Sequence, residues 1–378
     1  MKKYFILSVL LLVSGFFASC NYLNIDDYFE DTFQEDSIYA NKRNIERYFN
    51  GAAALLPVVD KIWEYGNTPG VTGSDEAVSC GDWNGMVVIQ FSGTKLMNNE
   101  ITSSSMGGWT WDFNIWPKCY KVIRKVNTIL PHIDGVRDMN SFERMEFRAK
   151  CRFLRAYAYY LILQQNGPMI LLGDEIVSNN EEAEYYARTR NTYDECVTYI
   201  TNELVLAAQA LPLDRAIQEI ARPTRGAALA LRAKVLLYAA SPLMNGQTPA
   251  DIASELVDDQ GNRLLPEAYD ESKWAKAAAA AKDVIELNRY TLFVSYATDK
   301  GDIAFPATIA PPYHPEFSEQ AWPNGWKDID PFESYRAIFN GTVSAFENKE
   351  LIFTRGQNTG DQSINNMVIH QLPRVAKG

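Results

Sequence analysis

The sequence is poor in histidine, the residue that triad hydrolases and helical zinc sites depend on. Histidine occurs only at His132, His314 and His370, and there is no HExxH run and no CxxC pair. Triad hydrolases and helical zinc sites both need histidine beside its catalytic partners. Phosphate-binding loops of the GxxxxGK[ST] or GxGxxG type are also missing, so the motifs support neither triad or metalloprotease chemistry nor nucleotide binding.

Basic residues are also in deficit. The chain has 36 Lys and Arg against 47 Asp and Glu, which gives a formal net charge of −11. Binding to phosphate backbones needs a positively charged surface. Nucleic acid is therefore not expected as a partner.

Long apolar runs are absent after the N-terminus, since none reaches the roughly 18 residues of a membrane-spanning helix. The N-terminus itself resembles a bacterial lipoprotein signal: Lys2 and Lys3 precede an apolar stretch that ends in Ala18-Ser19-Cys20, although Phe17 stands where Leu is usual. The resemblance implies that Cys20 is lipidated and anchors the protein to a membrane. An ordinary secretory signal is the alternative.

The remaining cysteines are Cys80, Cys119, Cys151 and Cys196. Their spacing fits no zinc motif, and Cys119 and Cys151 lie in helical patterns, which favours buried free thiols. A single disulfide remains open in an oxidising compartment.

Helical periodicity dominates the middle of the chain. In residues 147–172 apolar side chains recur at steps of three and four, and Gly167-Pro168 ends the pattern. Residues 223–241 form a second, Ala-rich pattern of the same kind. We expect a mainly α fold of tetratricopeptide-like helix pairs with irregular, loop-rich excursions.

The other predicted elements follow from spacing and capping signals. Asn140 or Ser141 is expected to cap the helix at 147–166, and Thr192 with Glu195 forms a capping box. Long loops are expected at 66–113 and 242–269, with an irregular aromatic and Pro-rich region from 295. The further helices are predicted at 38–65, 116–133, 192–211 and 272–290, and short strands at 351–354 and 367–369.

Exposed aromatic rings beside polar groups are typical of carbohydrate sites, because sugar rings have apolar faces and hydroxyl rims. The candidate ligand-binding residues are Asp75, Trp83, Asn84, Trp109, Trp322 and Trp326. Each tryptophan could instead only anchor a loop. Trp116 and Trp274 fall on helices and are expected to pack.

Charged clusters have a structural and a functional interpretation. The pairs Asp75-Glu76 and Asp258-Asp259 could in principle serve glycoside hydrolysis, but solvated loop acids are favoured. Arg148, Arg152 and Arg155 could form an anion site, yet a solvated or salt-bridged helix face is the stronger interpretation.

Taken together, these segments resemble the SusD/RagB family of outer-membrane nutrient-binding lipoproteins. The matching parts are the Cys20 signal, residues 74–77, residues 116–127, residues 149–157 followed by Gly167-Pro168, residues 222–228, residues 233–241, Trp274-Ala275 and residues 350–353. The resemblance implies a helical platform, glycan ligands or, in some members, peptides, and a SusC-like TonB-dependent barrel transporter as partner. It implies a surface-exposed, lipid-anchored binding protein and no cofactor; a structural calcium ion is left open.

The expected organisation is a signal peptide at 1–19, a tether at 20–37, a helical domain at 38–294 with a loop insertion at 66–113, and an irregular region at 295–378. Family members continue with a further helix pair that residues after Ile352 do not supply. We therefore expect a truncated chain with one uncovered apolar face. A surface lipoprotein glycoside hydrolase and a protein-binding adaptor are the competing functions.

Overall fold

The protein is a stack of helices. The computed structural model describes residues 38–57, 74–75, 99, 114–178, 180–296, 312–339, 342–344 and 346–353. The helices in these ranges are α1 (Lys42–Ala53), α2 (Ile115–Ile129), α3 (Ser141–Asn166), α4 (Ala183–Tyr186), α5 (Tyr193–Ala210), α6 (Arg225–Ala240), α7 (Ala250–Glu255), α8 (Ser272–Ile285) and α9 (Pro331–Phe339). The predicted mainly α class is confirmed. None of the helices in the described ranges has the length and apolarity needed to cross a membrane.

The long helices pack in chain order, each antiparallel to the one before it. α1 contacts α2, α2 contacts α3, α3 contacts α5, α5 contacts α6, and α6 contacts α8. The direction follows from paired contacts. Tyr159 of α3 lies beside Tyr199 of α5 with ring centroids 5.3 Å apart, while Arg155, one turn earlier, binds Glu203, one turn later. The array of antiparallel helix pairs expected from the Ala-rich patterns is therefore present.

Local capping signals set the ends of α3 and α5 where the sequence places them. The Asn140 side chain accepts from the Glu143 amide, and Glu143 returns the bond in a capping box. Thr192 and Glu195 form the same arrangement at α5. Gly167 ends α3 with φ of +73°, a conformation that suits glycine.

The core is built around α3, most of whose residues from Phe147 to Leu163 are buried. The Ala residues of α6 allow close helix approach. Gly226 lies against Tyr290, so an added Cβ would come 1.8 Å from the Tyr290 hydroxyl and the Tyr290 side chain would have to shift.

Several predicted boundaries were too long. α1 begins at Lys42, after the Asn41 cap, and ends at Ala53, while residues 58–65 lie outside the described residues. α8 ends at Ile285, and Asn288 then adopts a left-handed φ of +50°. The helical spacing of apolar residues continues beyond the ends of α1 and α8. Such spacing does not indicate where the backbone leaves the helix.

Two regions predicted as loop contain helix. The segment 242–269 includes α7 and an isolated bridge between Val257 and Arg263. The helix α9 begins at Pro331, within the region from 295 that was predicted to be irregular and Pro-rich. Proline is well suited to the first turn of a helix, where its missing N–H costs nothing.

Two further expectations were wrong. Trp274 is 39% exposed rather than packed, because α8 packs chiefly on α6 and its opposite side faces outward. Residues 351–353 form no strand, and the rest of the two predicted strands lies outside the described residues. Phe353 instead packs edge-on against Phe153 of α3 at 5.4 Å.

Candidate functional site

The predicted ligand-binding residues fall into two groups. Trp83, Asn84 and Trp109, together with the lipidation candidate Cys20, lie outside the described residues. Asp75 is exposed in the short described stretch 74–75. The remaining two, Trp322 and Trp326, belong to one closed loop.

We call residues 314–327 the Trp322 loop. Backbone hydrogen bonds close it: the Trp326 amide donates to the Phe317 carbonyl at 3.1 Å, and the Lys327 amide donates to the Gln320 carbonyl at 3.0 Å. Gly325 lies at the closure, where an added Cβ would meet the Phe317 carbonyl oxygen at 2.1 Å. The tight turn therefore requires glycine.

Three aromatic rings form the base of the Trp322 loop. The Phe317 ring stacks on His314 with centroids 4.7 Å apart, and Trp326 packs against Phe317 at 5.8 Å. Trp326 is half-buried in this cluster. Its position is that of a loop anchor, so only part of its indole is available to a ligand.

Trp322 is placed differently within the same loop. Its side chain is 37% exposed, and its backbone amide donates to the Asp328 carboxylate at 2.8 Å. The hydrogen bond fixes the backbone from which the indole projects. Trp322 thus combines a held backbone with an exposed ring, the arrangement that a sugar-stacking platform needs.

The Trp322 loop is fixed to the chain that leaves the helical array. Tyr296 and Ile329 form an isolated antiparallel bridge, and the Asp330 amide donates to the Ser295 carbonyl at 2.8 Å. Asp330 also accepts from the Glu333 amide at 3.0 Å at the start of α9. The loop is therefore held between residues 295–296 and α9.

α9 adds two exposed rings that the sequence analysis did not single out. Tyr335 is 69% exposed and Phe339 is 71% exposed, and their centroids lie 4.9 Å apart. Their spacing of four residues is typical of one helix face. The sequence prediction missed it because the whole region was expected to be irregular.

The arginines of α3 do not form an anion site. Arg155 is 1% exposed and binds the Glu203 carboxylate at 2.7 Å, and Arg152 binds the same carboxylate. Arg148 pairs with Asp134 at 2.8 Å. The predicted salt-bridged face is confirmed, whereas the idea of a solvated face is wrong for Arg155.

Arg155 joins four parts of the fold. Besides Glu203 of α5, it donates to Asn127 of α2 at 2.7 Å and to the Gly173 carbonyl and the Asp174 carboxylate at 2.9 and 2.6 Å. Burial alone would lower the pKa of the guanidinium, yet Glu203 raises it above its ordinary value. The side chain stays charged and serves the structure.

The paired acids at Asp258 and Asp259 also have structural roles. Asp258 accepts from the backbone amides of Gln260 and Asn262 and from the Asn262 side chain at 2.7–2.9 Å. The hydrogen bond from the Asn262 side chain has the largest effect in lowering the pKa of the Asp258 carboxyl, and those from the backbone amides lower it further. The general acid of a glycosidase needs a raised pKa, so Asp258 does not suit that role. Asp259 accepts a hydrogen bond from the Thr189 hydroxyl.

The thiols of Cys119, Cys151 and Cys196 are buried, and Cys80 lies outside the described residues. Burial raises the pKa of Cys119 and Cys151 to about 12 and that of Cys196 to about 11. All three are free cysteines, as predicted, and thiols with such pKa values are poor nucleophiles at neutral pH. In the part of the chain that the structure describes, no cluster of three or more His, Cys, Asp or Glu could hold a metal ion.

A cleft of about 470 Å³ lies where α5, α6 and α8 meet. Its apolar lining comes from Val205, Ala208 and Leu229. Arg225 donates to the Ala208 carbonyl at 2.9 Å, and Arg232 pairs with Asp283 at 2.8 Å, so both arginines are engaged. The cleft has no aromatic ring in its lining.

Comparison with protein families and solved structures identifies the family to which this fold belongs. A family model described as SusD-like, "Starch-binding associating with outer membrane", matches residues 50–237, which contain α2, α3, α5 and most of α6. A search of curated proteins found no match.

One solved structure supports the fold, and two others are similar at lower TM-scores. A SusD-like protein from Bacteroides fragilis NCTC 9343 is 18% identical with a TM-score of 0.53, covering 86% of this chain and 46% of the other. The protein BT4246 is 27% identical with a TM-score of 0.49, covering 59% of this chain and 38% of its own. Surface glycan-binding protein A from Bacteroides uniformis is 19% identical with a TM-score of 0.45, covering 66% of this chain and 47% of its own. The chain thus spans less than half the length of these proteins. On its family match and its fold, the chain belongs to the SusD-like family, as the sequence motifs predicted.

Proposed function

We propose that this protein binds glycans at the cell surface without covalent chemistry and passes them to a TonB-dependent barrel transporter. The single observation that supports it most directly is the exposed indole of Trp322 on a hydrogen-bonded loop, in a chain of the SusD-like family. Asp75, Trp83, Asn84 and Trp109 remain candidates for the same site. Trp326 is a candidate with reduced contact area.

Capture rests on two physical terms. The apolar face of a sugar stacks on the indole and leaves water, while polar groups of the loop satisfy the hydroxyl rim. A loop that is already closed by backbone hydrogen bonds loses little conformational entropy on binding. Neither term requires a reactive side chain.

Anchoring and delivery complete the proposal. Lipidation at Cys20 would hold the protein at the outer membrane by several acyl chains, with residues 20–37 as a tether. Release to a SusC-like transporter would follow from lid motion of the protein against the barrel. Family membership and the resemblance of the N-terminus to a lipoprotein signal support these steps.

Replacing Trp322 with alanine is expected to weaken glycan binding about tenfold, since loss of a stacking ring costs on the order of 1.5 kcal/mol. Affinity gel electrophoresis against a panel of neutral polysaccharides measures the change. Trp274→Ala on α8 is the matched control, because the two indoles are almost equally exposed, at 37% and 39%. Equal retention of parent and Trp322→Ala on every gel that retards the parent would remove Trp322 from the site.

Peptide binding is the second candidate, and the cleft between α5, α6 and α8 is the observation that favours it. Its apolar lining suits an extended peptide segment, and peptide binding does not require aromatic rings. The same cleft would serve an adaptor function. A glycan ligand is favoured because the Trp322 loop offers an exposed indole on which a sugar can stack. The lining of the cleft has no aromatic ring, so the cleft is not an alternative sugar site.

A further inference from the structure

The exposed face of α9 carries two aromatic rings beside a charged pair. Tyr335 and Phe339 are both largely exposed, their centroids lie 4.9 Å apart, and their ring planes are tilted by 54°. We call these two residues the α9 ring pair. Arg336 lies next to it on the helix and donates to both carboxylate oxygens of Glu333, at 2.9 and 3.1 Å.

The α9 ring pair is held on a fixed support. Asp330 accepts from the Glu333 amide at 3.0 Å at the start of α9, and the Ser334 hydroxyl accepts from the Ser295 amide at 2.9 Å. Ala337, on the side of α9 opposite the rings, is fully buried. A ligand that contacts the ring pair therefore has little backbone to order, which keeps the entropic cost of binding low.

α9 directly follows the Trp322 loop. The Trp322 amide donates to the Asp328 carboxylate at 2.8 Å, Asp328 is two residues before Asp330, and Tyr335 lies on the second turn of α9. These links keep the Cα atoms of Trp322 and Tyr335 within about 25 Å of each other. A chain-like ligand of that length reaches from the Trp322 indole to the ring pair.

The chemistry of this face suits a sugar chain better than a protein helix or a membrane. A helix-docking surface needs apolar anchors over several turns, and among the described residues of α9 only the two rings are both apolar and exposed. Membrane-surface helices carry several basic residues, whereas the one arginine of α9 is paired with Glu333. Arg336 has five N–H donors, of which Glu333 takes two, so the pair can bind sugar hydroxyl groups beside the rings.

We infer that the α9 ring pair is a second subsite for the glycan that stacks on Trp322, and that the ligand is therefore an oligosaccharide chain of several units. Because the two rings are tilted by 54°, they cannot both lie flat on one sugar, and they contact neighbouring units instead. The inference rests on the proposed function and adds to it a preference for long chains over mono- and disaccharides.

Isothermal titration calorimetry with malto-, laminari-, cello- and xylo-oligosaccharides, each from the disaccharide to the octasaccharide, tests this on the whole chain. In the series that binds, the affinity of the parent should rise with length. Tyr335→Ala with Phe339→Ala should weaken octasaccharide binding about tenfold and disaccharide binding less than about twofold, because only the longer chain reaches α9. Trp322→Ala should weaken binding at every length.

Phe142→Ala with Tyr269→Ala is the matched control. It removes the same two ring types from exposed positions outside α9, where the side chains are 77% and 48% exposed, and should leave every affinity within about twofold. Should the double variant on α9 lose its helical circular dichroism, the single variants Tyr335→Ala and Phe339→Ala decide instead. Each is expected to weaken octasaccharide binding about threefold.

Two results would overturn the inference while leaving the proposed function intact. The variants on α9 would bind every length as the parent does, or they would lose the same factor for the disaccharide as for the octasaccharide. A parent protein that binds none of the four series and is retained on none of the polysaccharide gels would refute the proposed function, and the second subsite with it.

Discussion

Replacing Glu203 with glutamine will destabilise the protein by about 3–5 kcal/mol, the cost of leaving a buried charge without its counter-charge. Arg155 is 1% exposed and cannot lose its proton at neutral pH. Among the described residues, its only other charged partner is Asp174, whose side chain is 75% exposed. Chemical denaturation followed by helical circular dichroism measures the free energy of unfolding.

The matched control for this variant is Glu175→Gln. Glu175 pairs with Arg188 at 2.6 Å on the surface, with a side chain that is 41% exposed. Water replaces such a partner, so the loss of stability should be far smaller than that of the Glu203 variant. Similar losses in the two variants would show that the Arg155 network does not hold α2, α3 and α5 together as we infer.

Replacing Gly246 with alanine will lower the free energy of unfolding by about 2–5 kcal/mol. Gly246 has φ of +74°, and an added Cβ would meet backbone atoms of Ala268 and Tyr269 at 2.2 and 2.3 Å. Backbone atoms cannot swing away as a side chain can, so strain and overpacking add. The loss should appear as a lower thermal midpoint.

Gly261→Ala separates the two contributions. Gly261 also has a positive φ, +83°, but nothing lies within 4 Å of its added Cβ. Its substitution should cost only about 1 kcal/mol of backbone strain. If both variants melt at the same temperature, the close approach between Gly246 and residues 268–269 does not contribute to stability.

The helices were predictable because their signals are local. A capping box such as Thr192 and Glu195 lies within four residues, and apolar spacing in α3 reports a buried stripe without knowledge of the partner. Pro331 shows where such rules fail. In a Pro-rich region, a proline is expected to interrupt helices, yet Pro331 is the first residue of α9.

The candidate site was only partly predictable, since burial depends on distant contacts. Trp322 and Trp326 are four residues apart and look alike in sequence, but closure of the loop at Gly325 exposes one and packs the other on Phe317. Likewise, the burial of Arg155 depends on Glu203, which is 48 residues away. No periodic pattern encodes either result.

Hydrogen–deuterium exchange with and without a glycan that the parent retains is the most direct test of the central claim. Our account predicts slower exchange of amides in the Trp322 loop, residues 314–327, and unchanged exchange in the core helix α3. Slower exchange confined to α5, α6 and α8 around the cleft, with none in the Trp322 loop, would contradict it.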